Sequence, residues 1–252
     1  MSNFDRNYTA TPRFGADRAV AIDAGLRAHM IRVYNYMAGG VAITGIVAWV
    51  TFQAAVTTNA AGGLMLTPFG HALYGTPLTW VFMLAPLALV FFISYRIGYL
   101  AAGTARTLFF VYAALLGVSL STIFLVYTHT SITRVFFISA AAFGGLSLWG
   151  YTTRQNLSAF GSFLIMGLFG IVIASLVNIF LGSSELQWII SVVSVLVFAG
   201  LTAWDTQAIK EMYEPMDDGT VAARKAVMGA LRLYLDFINL FLSLLRLFGD
   251  RR

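Results

Sequence analysis

Residues 226–249, AVMGALRLYLDFINLFLSLLRLFG, constrain this chain more than any other stretch. The segment is long enough to cross a bilayer, which takes roughly 20 apolar residues, yet it carries Arg232, Asp236 and Arg246 within the span. Charges at that depth must be turned away from lipid. Arg232, Asp236, Asn239, Ser243 and Arg246 step by four, three, four and three residues, so a helix gathers all five on one stripe. Leu, Phe and Ile fill the other faces. The pattern reads as a membrane helix at the centre of a bundle, with a polar stripe toward neighbouring helices and an intramembrane carboxylate as a candidate functional group. A second acid obeys the same logic. Asp205, in AGLTAWDTQ, closes the preceding charge-free run that begins at Leu186, and one polar loop joins the two segments. The two carboxylates can therefore meet at one level of the membrane.

The rest of the chain supports a membrane setting. Its 252 residues are 59% hydrophobic and 11% charged, against about 25% charged in a soluble domain. The expected fold class is all-α: a polytopic membrane protein, a seven-transmembrane-helix bundle with the last helix central. Charge-free or nearly charge-free runs at 36–56, 79–95, 107–127, 135–153, 159–181, 186–204 and 226–249 supply the seven spans, forming one domain over 36–249. Residues 1–35 form a polar cytoplasmic tail whose second half can lie on the membrane surface as an amphipathic helix. No cleavable signal peptide is evident, and with no cysteine, thiolate chemistry is excluded. Basic residues do not cluster as nucleic-acid binding requires.

Loop charges predict the orientation. With the amino terminus inside, the inner pieces hold five arginines of the tail, then Arg96, Arg106, Arg154, Lys210, Arg224 and Lys225, while the outer loops hold Arg134. The carboxyl end, with Arg246, Arg251 and Arg252, runs against this rule if all seven segments cross fully. Full crossing is the preferred reading.

Two acids in a low-dielectric bundle are costly to ionise together, so a facing pair titrates as a unit and shares a proton or takes a cation. Ca²⁺, which prefers several oxygen ligands, could occupy the deprotonated pair, and Arg96 or Arg232 could replace it as an internal counter-ion. The simpler alternative pairs Asp236 with Arg232 one turn before it and leaves Asp205 at a membrane boundary. No resident cofactor is expected.

The segment LYLDFINLFLSLLRLFG, with AWDTQAIKEMY upstream and AIDAGLRAHMIRVYNYMAGG at the front, resembles the bacterial branch of the transmembrane Bax inhibitor motif family, the Bax inhibitor-1-like proteins. The similarity runs from about Ile22 to Phe248. It implies a seven-helix fold in the bacterial cell inner membrane and a pH-sensitive calcium leak controlled by an aspartate pair on helices six and seven, here Asp205 and Asp236. It also implies an arginine latch at the cytoplasmic end of the second span, which Arg96 matches. Arg232 departs from the motif, where a small polar residue is usual, and with Asn239 it is a candidate modulator of the pair.

Other classes of protein share parts of this pattern. Intramembrane aspartyl proteases of the presenilin type also place acids on helices six and seven, but their YD, GxGD and PAL signatures are missing here, so no enzymatic activity is expected. A non-conducting regulator that binds another membrane protein, a quality-control protease or a cell-death factor, is the main alternative to the leak. A proton-coupled transporter would show inverted repeats or broken helices. His29, His71 and His129 are scattered and do not suggest a metal site. Gly170, Ala174 and Asn178 form a small-residue stripe suited to helix packing. Glu211, Glu214, Asp217 and Asp218 read as a solvated connector.

Overall fold

The structure, a computed structural model, describes residues 14–59 and 63–252, with residues 14–22 as backbone alone. Among the described residues seven helices are long and apolar enough to cross a membrane. They are α1 (Phe14–Ala55), α3 (Leu78–Arg96), α4 (Ala102–Leu120, continued by the short α5, Ile123–Val126), α6 (His129–Thr152), α7 (Ser158–Leu181), α8 (Ser184–Glu211) and α9 (Gly219–Phe248). Each expected span has its helix. The loop after the first span is not featureless: a two-stranded antiparallel hairpin, β1 (Val56–Thr58) with β2 (Leu64–Leu66), is followed by α2 (Pro68–Tyr74). The hairpin's alternation is three residues long on each side, too short to read from the sequence.

The α1 helix is longer than the expected first span. It runs without a break across the boundary placed at residue 36, because no proline or glycine pair interrupts residues 14–35. At about 1.5 Å per residue its 42 residues measure about 63 Å, twice the hydrocarbon thickness. Its buried positions, Met30, Val33, Met37, Thr44, Ala48, Phe52 and Ala55, recur at helical spacing along one side. That side packs on α4 and α9. The part of the expected tail at residues 1–13 lies outside the described residues.

The α9 helix is the axis of the bundle. It touches α1, α4, α6 and α8, and its side chains are buried nearly all round, including Leu231, Leu233, Tyr234, Leu240 and Leu245. An all-round apolar helix with a polar stripe has to sit inside other helices. Close approach is bought with small residues: a Cβ on Gly40 would stand 2.7 Å from the Phe109 ring and 3.2 Å from Tyr234. On the other side of α9, Gly150 of α6 faces the backbone carbonyl of Ala203 in α8. Peripheral helices look different. The α3 helix packs on α2 and α4 and shows Trp80, Met83, Leu87, Phe91 and Tyr95 outward, whereas α7 packs chiefly on α8 and shows Phe163, Phe169, Ile173, Ile179 and Phe180 outward. In a bilayer these faces meet lipid.

Helix ends are capped by side chains. Ser183 accepts from Leu186 N at the start of α8, after Gly182 turns the chain with φ of 61°. Asp218 accepts from Thr220 N and Val221 N at the start of α9, and Asp217 pairs with Lys225 at 2.6 Å. The acidic connector is thus used for capping and pairing. At the opposite end of the bundle the chain after α9 folds back on the start of α6: Thr128 N donates to Asp250 O at 3.0 Å, Asp250 N donates to Ser131 Oγ at 2.9 Å, and Arg134 pairs with Asp250 at 2.5 Å. The last helix therefore runs the full length of the bundle, and the arginine-rich carboxyl end sits beside Arg134.

Candidate functional site

The α8 and α9 helices are antiparallel neighbours, which places residues near the end of α8 against the middle of α9. Gly229 faces Ile209 and Arg232 faces Asp205, so Asp236 comes to lie one turn farther along. The Asp205 and Asp236 carboxyl groups are close enough to interact electrostatically. Both are buried, with 8% and 4% of their surfaces exposed. Arg232 Nη1 lies 3.5 Å from Asp205 Oδ1. Asp236 Oδ2 is buried with no hydrogen-bond partner. Two buried carboxyl groups that close repel unless a proton or a cation is held between them, and Arg232 forms an ion pair with Asp205 alone.

The pair borders a cavity of about 670 Å³ between α7, α8 and α9. Arg232, Asp236, Asn239, Ser243 and Arg246 all line it, so the stripe read from the sequence is one wall. From Arg232 to Arg246 that wall extends about 21 Å at 1.5 Å per residue. Asn239 Nδ2 and Ser243 Oγ donate to carbonyls one turn back, at 2.8 and 2.7 Å, leaving the amide and hydroxyl oxygens for water or a passing ion. The facing wall is α7, where Ser175 is the polar residue among Ile171, Val172 and Ile179. Trp204 covers the α8 side next to Asp205 and packs over Gly161 of α7.

The arginine at Asp205 is Arg232, not Arg96. The end of α3 is peripheral, Arg96 is exposed, and its guanidinium lies 5.9 Å over the ring of Tyr99. The chain just beyond it is tied to the start of α9, where Arg224 donates to Gly98 O. Nor does Arg232 pair with Asp236 along its own helix: its guanidinium crosses to α8. Asn178 joins α7 to α8 through Gln187 at 3.3 Å, while Gly170, in the same stripe, is exposed with nothing within 4 Å of a built Cβ. His29, His71 and His129 stay apart, and no group of three or more His, Asp or Glu gathers among the described residues.

The sequence reading missed the polar ties around the pair. Tyr34 Oη, Ser147 Oγ and Thr206 Oγ1 form a chain of 2.6 and 2.8 Å bonds linking α1, α6 and α8 beside Asp205. Gln207 accepts from Leu157 N and donates to Gln155 O, both at 2.8 Å, pinning the α6–α7 connection to α8. Thr44 Oγ1 lies 2.6 Å from Tyr234 Oη and 2.8 Å from Ala113 O, joining α1, α4 and α9. The signal for the first two lay in TAWDTQ, whose hydroxyls and amide surround Asp205 at helical spacing.

A family model described as "Inhibitor of apoptosis-promoting Bax1" matches residues 26–252. An uncharacterized protein of Rickettsia prowazekii is 46% identical over 252 residues, all of both chains. The inner membrane protein YbhL of Escherichia coli K12 is 45% identical over 239 residues, 94% of this chain and 97% of that one. An uncharacterized membrane protein of Streptococcus pyogenes is 36% identical over 234 residues, 90% of this chain and 94% of its own.

Proposed function

Because the chain belongs to the Bax inhibitor-1 family of integral multi-pass membrane proteins, we propose that it is a pH-sensitive cation leak, for which Ca²⁺ is the candidate permeant ion. The supporting observation is the burial of Asp205 and Asp236 side by side at the border of a cavity that follows the polar stripe of α9. A proton and a cation compete for the same space between the two carboxyl groups. Two carboxylates and water make a weak Ca²⁺ site, as a leak requires, since an ion held by six to eight fixed oxygens would not leave.

In this reading Arg232 is the internal counter-ion. It holds Asp205 while the pair keeps its proton, and it must yield when a cation enters. The pair is assigned to proton and cation exchange, not to peptide hydrolysis, because the acids stand in AWDTQ and LYLDF and not in the YD and GxGD contexts, followed by PAL, of the intramembrane aspartyl proteases. The amino terminus is proposed to be cytoplasmic on the loop-charge argument, in a bacterial inner membrane like that of YbhL.

The test is Ca²⁺ flux into liposomes holding the purified protein, from pH 6 to 8, for wild type, Asp205→Asn and Asp236→Asn. Flux should vary with pH in wild type, rise in Asp205→Asn because the contact with Arg232 is lost, and lose its pH response in Asp236→Asn. Flux no greater than in protein-free liposomes would replace the leak by a non-conducting regulator that binds another membrane protein.

A further inference from the structure

A second cavity, about 520 Å³, lies on the other side of α9 from the aspartate pair. Its walls are α1 and α6, with Leu120 of α4 and Ile123 and Phe124 of α5 closing one end, and Phe237, Ile238 and Phe241 of α9 form its floor. The two walls are tied at Tyr34 and Ser147 toward one end of the bundle and meet again at the other, where the rings of Phe52 and His129 are 5.6 Å apart, so the cleft lies between two points of contact. Trp49 and Phe137 stand half-exposed or more on its two rims, which makes it a cleft opening sideways toward lipid. Along α1 it runs from Val41 to Gln53, about 18 Å at 1.5 Å per residue. That is about the depth of one leaflet in a hydrocarbon core roughly 30 Å thick.

The polarity of the cleft is one-sided. Its deep part is apolar apart from Thr44, whose hydroxyl is already bonded to Ala113 O and Tyr234, and Gln53, His129 and Thr133 gather at the end where α6 begins. There Arg252 Nη2 donates to His129 Nδ1 at 3.1 Å. Arg134 follows Thr133 and pairs with Asp250, and Arg251 is exposed beside it. Arg134 and Arg252 thus stand at this end of the cleft with Asp250 between them, and Arg251 next in the chain adds to an excess of positive charge that an α-carboxylate on Arg252 would reduce without cancelling. A groove one leaflet deep, apolar inside and cationic where the headgroups lie, is complementary to one kind of molecule in its surroundings.

We propose that the α1–α6 cleft binds one anionic phospholipid, with an acyl chain on Phe237, Ile238 and Phe241 and the phosphate at Arg252 and Arg251. Arginine suits phosphate through its planar, forked donors. The occupant would rest on the face of α9 opposite Asp236, and against Thr44, whose hydroxyl holds Tyr234. Binding does not depend on the leak.

The test is native mass spectrometry of the full-length protein in detergent with phosphatidylglycerol or phosphatidylcholine of matched acyl chains. Wild type should retain one phosphatidylglycerol under activation that strips phosphatidylcholine, with at least a tenfold difference in retained fraction. Gly45→Phe fills the cleft from a position where a built Cβ meets nothing within 4 Å, and it should abolish retention. Arg251→Ala with Arg252→Ala, both on exposed residues, should leave binding but remove the headgroup preference. Equal retention of both lipids by wild type, unchanged retention in a Gly45→Phe protein that melts like wild type, or an intact preference without the two arginines would each overturn the assignment.

Discussion

Arg232 of α9 and Asp205 of α8 face each other at 3.5 Å, and Asp236, one turn along Arg232's own helix, has its Oδ2 buried with no hydrogen-bond partner. The contact is loose for an ion pair, and Arg232 is more than a third exposed, so its Coulomb contribution is screened and small. A weak internal counter-ion is one that a proton or a metal ion can displace. Removing it leaves two acids and no resident cation. Arg232→Gln should raise Ca²⁺ flux at pH 8 about tenfold, equivalent to about 1.4 kcal/mol. Stopped-flow fluorescence of a liposome-trapped calcium dye checks this, and equal or lower flux would remove Arg232 from the gate.

Arg96 is a control of opposite expectation. It lies over Tyr99 at the exposed end of α3, away from the cavity. Arg96→Ala should leave flux within about twofold of wild type in the same assay, a change of about 0.4 kcal/mol. A large increase would mean that a second conformation carries Arg96 to Asp205, as the family resemblance implies.

The cavity wall can be altered without touching either acid. Ser243 is buried at the border, seven residues beyond Asp236. Ser243→Leu adds apolar volume and removes the one hydroxyl at that level of α9, so flux should fall at least fivefold, about 1 kcal/mol, while its pH midpoint stays put. An unchanged rate would place the route elsewhere.

Thr44 and Tyr234 lock α1 to α9 by a 2.6 Å bond inside the bundle. Interhelical hydrogen bonds in membrane proteins contribute about 0.6 kcal/mol on average and up to about 1.7. Thr44→Val and Tyr234→Phe should each destabilise by that order, and the double variant by less than the sum because both remove one bond. Thermal unfolding followed by circular dichroism measures all three, and full additivity would show that the two hydroxyls do not depend on each other.

Two glycines separate contact from composition. Gly150 meets the Ala203 carbonyl, so Gly150→Ala must push α6 from α8 and should cost more than about 1 kcal/mol, the scale of overpacking. Gly170 has open space around it, and Gly170→Ala should be neutral or stabilising by up to about 1 kcal/mol through helix propensity. The same melting measurement decides both.

The sequence by itself determined the fold class, the seven spans and the stripe on α9. These follow from local rules: apolar length sets a span, and a four-three spacing puts Arg232, Asp236, Asn239, Ser243 and Arg246 on one face whatever surrounds it. It also put Asp205 within reach of Asp236, because one connector links two antiparallel helices and leaves little freedom of level. What only the tertiary structure decided is which groups meet across helices. An arginine near the end of the second span and an arginine one turn before Asp236 are equally plausible partners for Asp205 on paper. The choice depends on where α3 docks, and α3 docks on α2 and α4 at the edge of the bundle. Likewise Thr44, Ser147 and Gln207 read as ordinary polar residues in apolar runs until packing brings Tyr234, Thr206 and the α6–α7 connection to them. Helical periodicity is fixed by the backbone, whereas helix neighbours are fixed by the fit of side chains far apart in the chain, and spacing carries no record of that fit.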